Sequence, residues 1–260
     1  MIIYFIDSFF ERGQLLKFLD LTPKHSNEIY VAKTFNAFYF AQVKSISKIL
    51  SLTSVPTLFW SAPTPLSLKP PLLSVLFLFL GLSIFGFGHA ILFGSNFGVS
   101  PWMALAQGLV VQFGIGIGLS IILVSFGVLL FWIPLKEKPG IGTFINFFVV
   151  AAVIEISLPY IPYQSDILLK VLQVLFGILV IGIGGSIYLI ANLGPGPRDG
   201  LMTGLSRKTG IPMAYVRNLL EISVVIIGWS LGGTAGVGTV IFAILIGPVI
   251  VAYMLSLIHI

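Results

Sequence analysis

Arg217 and Glu221 stand four residues apart in an otherwise apolar run, residues 211–231. At that spacing both lie on one face of a helix. Ionisable groups within a lipid-embedded helix are costly, turn toward the protein interior and tend to mark functional paths. A mutual salt bridge that only fixes helix packing is the competing account. A second charged pair, Arg198 and Asp199, sits in "ANLGPGPRDGLMTGLSRKTG", residues 191–210. This stretch has the look of a phosphate loop, but it is neither G-x-G-x-x-G nor a Walker A motif, and it follows an apolar run of helix length instead of a strand. It reads better as a tight turn built from Asn192, Gly194, Gly196 and Gly200, with Pro197 opening a short helix. The free N–H groups of that helix start, next to Arg198, suit an anion. A local Arg198–Asp199 pair is the equally weighted alternative.

Other chemistry finds little footing. The chain has no cysteine, so thiolate metal sites, disulfides and cysteine nucleophiles are excluded. His25, His89 and His259 are far apart and make no ligand pair at helical spacing. There is no Ser/His/Asp arrangement and no pair of carboxylates, so no catalytic residue, metal or cofactor is expected. His89 reads as a hydrogen-bonded core histidine more readily than as a proton relay, and Glu155 as a side chain near a helix end that reaches water.

The elements that position these residues follow from composition. The chain is 57% hydrophobic and 9% charged, with a mean hydropathy of +1.06, whereas soluble domains carry about 25% charged residues. A soluble fold of this length has too little interior for so much apolar surface, so the lipid bilayer is the expected solvent. The net charge of +5 then reads as Lys and Arg kept in loops, with no call for nucleic acid. Residues 1–70 hold 11 of the 23 Asp, Glu, Lys and Arg residues. They show no spanning run and are expected to be a poorly ordered or weakly structured extension.

From Pro71 to residue 256 the expectation is an all-α, polytopic membrane domain. Six stretches approach the roughly 20 residues that cross a hydrocarbon core: 72–95, 115–134, 141–160, 167–191, 211–231 and 236–256. Two pieces, 101–113 and 197–208, are too short to cross and begin with Pro101 and Pro197. They are expected to be short helices at the membrane surface.

The two short pieces are 96 residues apart, and the same offset relates their surroundings. Laying 72–150 on 168–246 without a gap gives 23 identities in 79 positions. Ten involve Gly, Pro or Asn, among them Asn96/Asn192, Gly98/Gly194 and Pro101/Pro197. Such matches report shared turns and close helix contacts; Asn96 and Asn192 read as helix C-terminal caps. The chain therefore divides into two repeats, 72–160 and 167–256, each with three spanning helices and one short interfacial helix. Three crossings per copy invert the second relative to the first. The charges agree: the loop around Pro101 is neutral where its counterpart carries Arg198, Asp199, Arg207 and Lys208, and "PLKEKPG" (134–140) is charged where "SLGGTAG" (230–236) is not. By the positive-inside rule the charged loops and both termini are cytoplasmic. Arg217 and Glu221 correspond to Ile121 and Ser125, so a site built on them is asymmetric.

The "GPGPRDGL" turn, the following "GLSRKTG", Arg217 with Glu221, and "GWSLGGTAGVGTV" resemble the YczE/YyaS/YitT-type family of bacterial integral membrane proteins. The first copy has the matching "GVSPWMALAQGL", with Ser100 where members often have glycine. The resemblance spans about 71 to 254 and implies a multipass protein of the bacterial cytoplasmic (inner) membrane, without implying a substrate. Residues 1–70 lie outside it, and the closing "LSLIHI" departs from it and is expected to be foreign to the native chain. Inverted repeats with short helices are a recurring plan of secondary transporters. The expected function is transport or export of a small solute, with anions among the candidates, along a path between the repeats lined by Arg217 and Glu221. The alternative is a non-transporting accessory or scaffold protein that binds a partner in the bilayer.

Overall fold

Glycine, proline and left-handed backbone turns punctuate a chain whose intervening segments are all helical. The computed structural model describes residues 55–258 apart from Leu68; most of the N-terminal extension, His25, and the last two residues including His259 lie outside it. Among the described residues the helices are α1 (Leu72–Gly94), α2 (Pro101–Phe113), α3 (Ile117–Leu135), α4 (Ile141–Ser157), α5 (Ile167–Ile190), α6 (Pro197–Thr209), α7 (Met213–Ser230) and α8 (Val237–Ile258), with a 3₁₀ turn at Leu158–Tyr160. No strand occurs among them.

Local sequence explains the boundaries. Pro101 and Pro197 occupy the first turns of α2 and α6, where a missing N–H costs nothing. Gly114 and Gly210 end the same two helices in the left-handed region, at φ 64° and 71°. Asp166 caps α5 by accepting from the Leu168 and Leu169 N–H groups at 2.8 and 3.2 Å, as an N-cap carboxylate should.

Among the described residues five helices are long and apolar enough to cross a membrane: α1, α3, α4 with its 3₁₀ extension, α5 and α8. The sixth expected span, α7, falls outside that set; its 18 residues include Arg217, Asn218 and Glu221. Helices α2 and α6 have 13 residues each, about 20 Å of rise, against a hydrocarbon core of about 30 Å.

The centre of the fold is the α1–α5 crossing, where small residues let two backbones touch. A Cβ on Gly81 would lie 2.6 Å from the Tyr188 N, and one on Gly88 would lie 2.7 Å from the Ile181 N. Gly177 and Gly184 face them from α5, and Leu78, Leu82, Leu92, Ile178 and Ile181 close the core around the crossing. Helix α4 lies on α1 and α8 on α5; α2 packs on α7 and α6 on α3. A second cluster, including Trp132, Val128, Met202, Val216 and Val224, joins α3, α6 and α7. Trp132 donates its indole N–H to the Pro197 carbonyl at 2.9 Å. Its ring occupies the space that a side chain on Gly200 would need.

Among the described residues all eight with positive φ fall into four pairs 96 residues apart: Asn96/Asn192, Gly98/Gly194, Gly114/Gly210 and Lys136/Gly232. Hydrogen bonds recur at the same offset with the copies exchanged. The Gly142 N–H donates to the Leu193 carbonyl at 2.8 Å, and the Gly238 N–H donates to the Phe97 carbonyl at 2.9 Å. Each Asn turn is thereby tied to the helix start of the opposite copy.

Residues 55–67 form no helix but are tied to the end of α5. The Ala62 N–H donates to the Ala191 carbonyl at 3.0 Å, and the Asn192 amide donates to the Ala62 carbonyl at 2.8 Å. Trp60 is buried and stacks on Phe77 at 4.3 Å between ring centroids.

Polar loops gather at two opposite ends of α3, roughly 28 Å apart for its 19 residues. At one end Arg207 pairs with Glu137 at 2.8 Å, and Lys208 donates to the Pro134 carbonyl at 3.3 Å. At the other, Gln107 accepts from the Thr234 N–H and hydroxyl, and Gln112 donates to the Leu231 carbonyl. The copies also differ: α3 packs on α4, whereas α7 does not pack on α8 in the same way. Glu155, near the end of α4, accepts from the Gly118 N–H in the first turn of α3. The corresponding position in the second copy is Val251, which has no acceptor for a helix start. Glu155→Gln is expected to lower stability by about 0.5–1 kcal/mol, below the usual range of charged hydrogen bonds because the side chain is exposed. Thermal unfolding in detergent measures it, and an unchanged midpoint would count against this tie.

Candidate functional site

Residues at the starts of α2 and α6 line one cavity, so equivalent residues of the two copies meet. Trp102 follows Pro101 in α2, and Arg198 follows Pro197 in α6. The Arg198 guanidinium carbon lies 5.9 Å from the Trp102 ring centroid and 6.0 Å from that of Phe85 on α1, near the outer limit of cation–π attraction. Among the described residues this guanidinium has no ion pair and no hydrogen bond. Its neighbour Asp199 turns away and accepts from the Tyr188 hydroxyl at 2.8 Å. The local Arg198–Asp199 pair weighed from sequence does not form.

Beside Arg198 is a cavity of about 40 Å³ whose polar wall is His89, Ser100, Trp102, Ser125 and Arg198. His89 is 3% exposed, Ser100 0% and Trp102 8%. Three of their polar atoms, His89 Nε2, Ser100 Oγ and Trp102 Nε1, have no hydrogen-bond partner among the described residues. Buried polar groups are nearly always partnered, and each orphan costs about 1–3 kcal/mol. Three orphans and an unpaired guanidinium around one small space describe a place shaped for a polar occupant. The start of α2 adds its free N–H groups and the positive end of its dipole to the same wall.

The remaining polar atom of His89 is satisfied. Its Nδ1 lies 2.9 Å from the Phe85 carbonyl, and the ring sits between Phe85 and Phe242, 4.5 and 6.1 Å away.

Arg217 and Glu221 are placed differently. Arg217 Nε donates to Glu221 Oε1 at 3.0 Å, with side chains 39% and 13% exposed. Neither lines the 40 Å³ cavity, but Ile121 and Ser125, their first-copy equivalents, both do. Asn192, Gly194 and Gly196 hold the turn that delivers Arg198. Asn96, Gly98 and Pro101 hold the turn that delivers Trp102. Sequence reasoning passed over Phe85, Ser100 and Trp102 as site residues and read His89 as structural. Trp102 was signalled by the repeat alone, as the residue aligned with Arg198.

A larger apolar groove of about 550 Å³ runs between α2, α3, α6 and α7, lined by Leu105, Phe131, Leu205 and Leu220 among others. It shares Trp102, Val124 and Val128 with the polar cavity. Among the described residues no three His, Asp or Glu side chains come together as a metal site would need.

The central site lies wholly within a segment that has relatives. A family model, described as a family of unknown function (DUF6198), matches residues 72–255. The chain belongs to this family. It is 38% identical to an uncharacterized protein of Haemophilus influenzae over 196 residues, 75% of this chain and 89% of the relative. Over 176 residues it is 34% identical to the uncharacterized membrane protein YczE of Bacillus subtilis, covering 67% of this chain and 82% of that one. YyaS of Bacillus subtilis is 26% identical over 182 residues, or 67% and 89% of the two chains. No solved structure matches. The family match and the named relatives bear out the resemblance to the YczE and YyaS proteins, and the apolar helices agree with a membrane protein in contact with the bilayer.

Proposed function

We propose that this member of the family is a six-span, inverted-repeat protein of the bacterial cytoplasmic membrane that transports a small anionic solute through the His89–Arg198 cavity. The observation that carries the reading is the unpaired Arg198 guanidinium beside three orphaned polar atoms at the junction of the two repeats. Half-helix N-termini converging on a site at the repeat interface are how inverted-repeat transporters hold anionic groups. The paired left-handed turns and exchanged hydrogen bonds support the duplication. In this reading α7 is the sixth span and carries its Arg217–Glu221 pair as a neutralised unit. Arg198 takes the central position on the solute path, with Arg217 and Glu221 flanking it from α7. The 194–208 segment closes the path on the cytoplasmic side.

The self-satisfied Arg217–Glu221 pair is also what a non-transporting scaffold would have, which keeps that reading as the rival. Uptake or efflux of labelled small anions in proteoliposomes separates the two. Transport that depends on Arg198 supports the first, and intact protein that moves none of the anions supports the second.

Orientation is tested separately. The chain has no native cysteine, so single cysteines report cleanly. Cysteines at Gln112 and Thr234 are expected to react with an impermeant reagent applied outside the cell, and cysteines at Lys138 and Lys208 only after the membrane is opened. All four labelling from the same side would defeat the inverted topology.

A further inference from the structure

We infer that the anion taken by this site carries an O–H group of its own, the class of bicarbonate and the smallest hydroxycarboxylates. The inference rests on the reading of the His89–Arg198 cavity as an anion site. It follows from a count of donors and acceptors around the cavity wall.

Arg198 and the Trp102 indole can only donate. The hydroxyls of Ser100 and Ser125 can do either. His89 is the exception. Its Nδ1 faces the Phe85 carbonyl at 2.9 Å, and a carbonyl oxygen can only accept. Nδ1 therefore holds the hydrogen of the neutral ring, and Nε2 presents a bare lone pair. That nitrogen is buried and has no partner among the described residues.

A carboxylate or nitrate, which has acceptors alone, answers Arg198 and Trp102 but sets its own lone pairs against Nε2. An anion bearing one O–H answers every group: its charged oxygens face Arg198, Trp102 and Ser100, and its hydroxyl donates to Nε2. A site built to bind a hydroxyl discriminates strongly against the analogue that lacks it, because its own polar group is then stranded.

Size and surroundings narrow the class. A water molecule needs about 10–15 Å³ of such a cavity. The 40 Å³ here therefore holds about three water-sized groups, the scale of an anion with a handful of heavy atoms. The charged and titratable groups nearest His89 are Arg198 on α6 and Tyr188 on α5, whose ring packs on Phe85 and whose hydroxyl holds Asp199. On α4 and α8, Glu155 is engaged at Gly118 and Tyr253 lies against Gly182. Helices α2 and α3 carry no titratable side chain. No carboxylate lines the cavity to compete with an incoming anion.

The test uses the purified full chain and two matched pairs of anions, each differing by one O–H: formate with bicarbonate, and acetate with glycolate. Calorimetric titration is expected to give bicarbonate and glycolate affinities about tenfold above those of their partners, as for one stranded buried acceptor. In His89→Phe that preference should vanish while acetate still binds, and in Arg198→Gln all four anions should bind about a hundredfold more weakly. Should His89→Phe fail to fold, nitrogen-15 NMR of the histidines in the unaltered protein replaces it. The bare Nε2 resonance should move with glycolate and stay put with acetate. Equal affinity within both pairs, with the Arg198 dependence kept, would overturn the O–H requirement and leave the anion site standing. Affinities indifferent to Arg198→Gln, or no binding of any of the four, would remove both.

Discussion

Arg198→Gln is expected to weaken anion binding by about a hundredfold while leaving the empty protein as stable as before, or slightly more so. The ligand side follows from charge. A hydrogen bond to a charged group contributes about 1.5–3 kcal/mol, and at contact distance and an effective dielectric near 20 the Coulomb energy of such a pair is about 4 kcal/mol. Losing part of each amounts to two decades in affinity. The stability side has the opposite sign from most substitutions at a half-buried arginine. Arg198 has no ion pair or hydrogen bond among the described residues to lose, and its two aromatic neighbours lie at 5.9 and 6.0 Å, where cation–π attraction is fading. Glutamine also removes the cost of a desolvated, uncompensated charge. Calorimetric titration and thermal unfolding of the same samples read the two effects. A variant that unfolds, or that keeps full anion affinity, would show that Arg198 is part of the scaffold.

Gly184→Val is expected to cost about 3 kcal/mol or more, the upper end of overpacking, while Gly185→Ala next to it costs less than about 1 kcal/mol. The contrast arises from what each new side chain meets. On Gly184 it would strike the Phe85 N and the Gly81 carbonyl oxygen, both backbone atoms of α1. Nothing there can rotate away, so α1 and α5 must part. On Gly185 the nearest atoms are the ends of the Ile250 side chain, 3.4 and 3.5 Å off, an ordinary contact. Because Phe85 also flanks Arg198 and anchors His89, separation at Gly184 should also weaken the central site. Equal stability of the two variants, measured by denaturant unfolding in detergent, would refute the close crossing.

These two residues mark where sequence and structure divided the work. Gly184 follows a rule visible in the sequence, since it lies 96 residues from Gly88, the offset of the repeat, and membrane helices approach through small residues. Arg198 was legible as a candidate, but its alternative, a pair with Asp199, was equally good on paper. One hydrogen bond from Tyr188 removes it, and Tyr188 sits in an apolar run that gives no hint of that role. His89 is the clearest case: the ring is anchored in the core by one nitrogen and open to the cavity through the other. A linear sequence cannot display both, because the Phe85 carbonyl lies one helical turn away while the cavity is assembled from α1, α2, α3, α4 and α6.

What the amino-acid sequence determined by itself is whatever depends on local backbone rules and bulk solvation. A chain with 9% charged residues belongs in lipid. Helices α2 and α6 start at Pro101 and Pro197 and stop at left-handed glycines, α5 starts behind Asp166, and the left-handed turns recur at a separation of 96 residues. Those features are set by neighbouring residues and need no knowledge of the fold. Only the tertiary structure decided which polar groups are left without partners. Whether an arginine or a histidine nitrogen is satisfied depends on atoms contributed by other helices at hydrogen-bond range. Here that accounting leaves Arg198, His89, Ser100 and Trp102 facing one small space where the two copies meet.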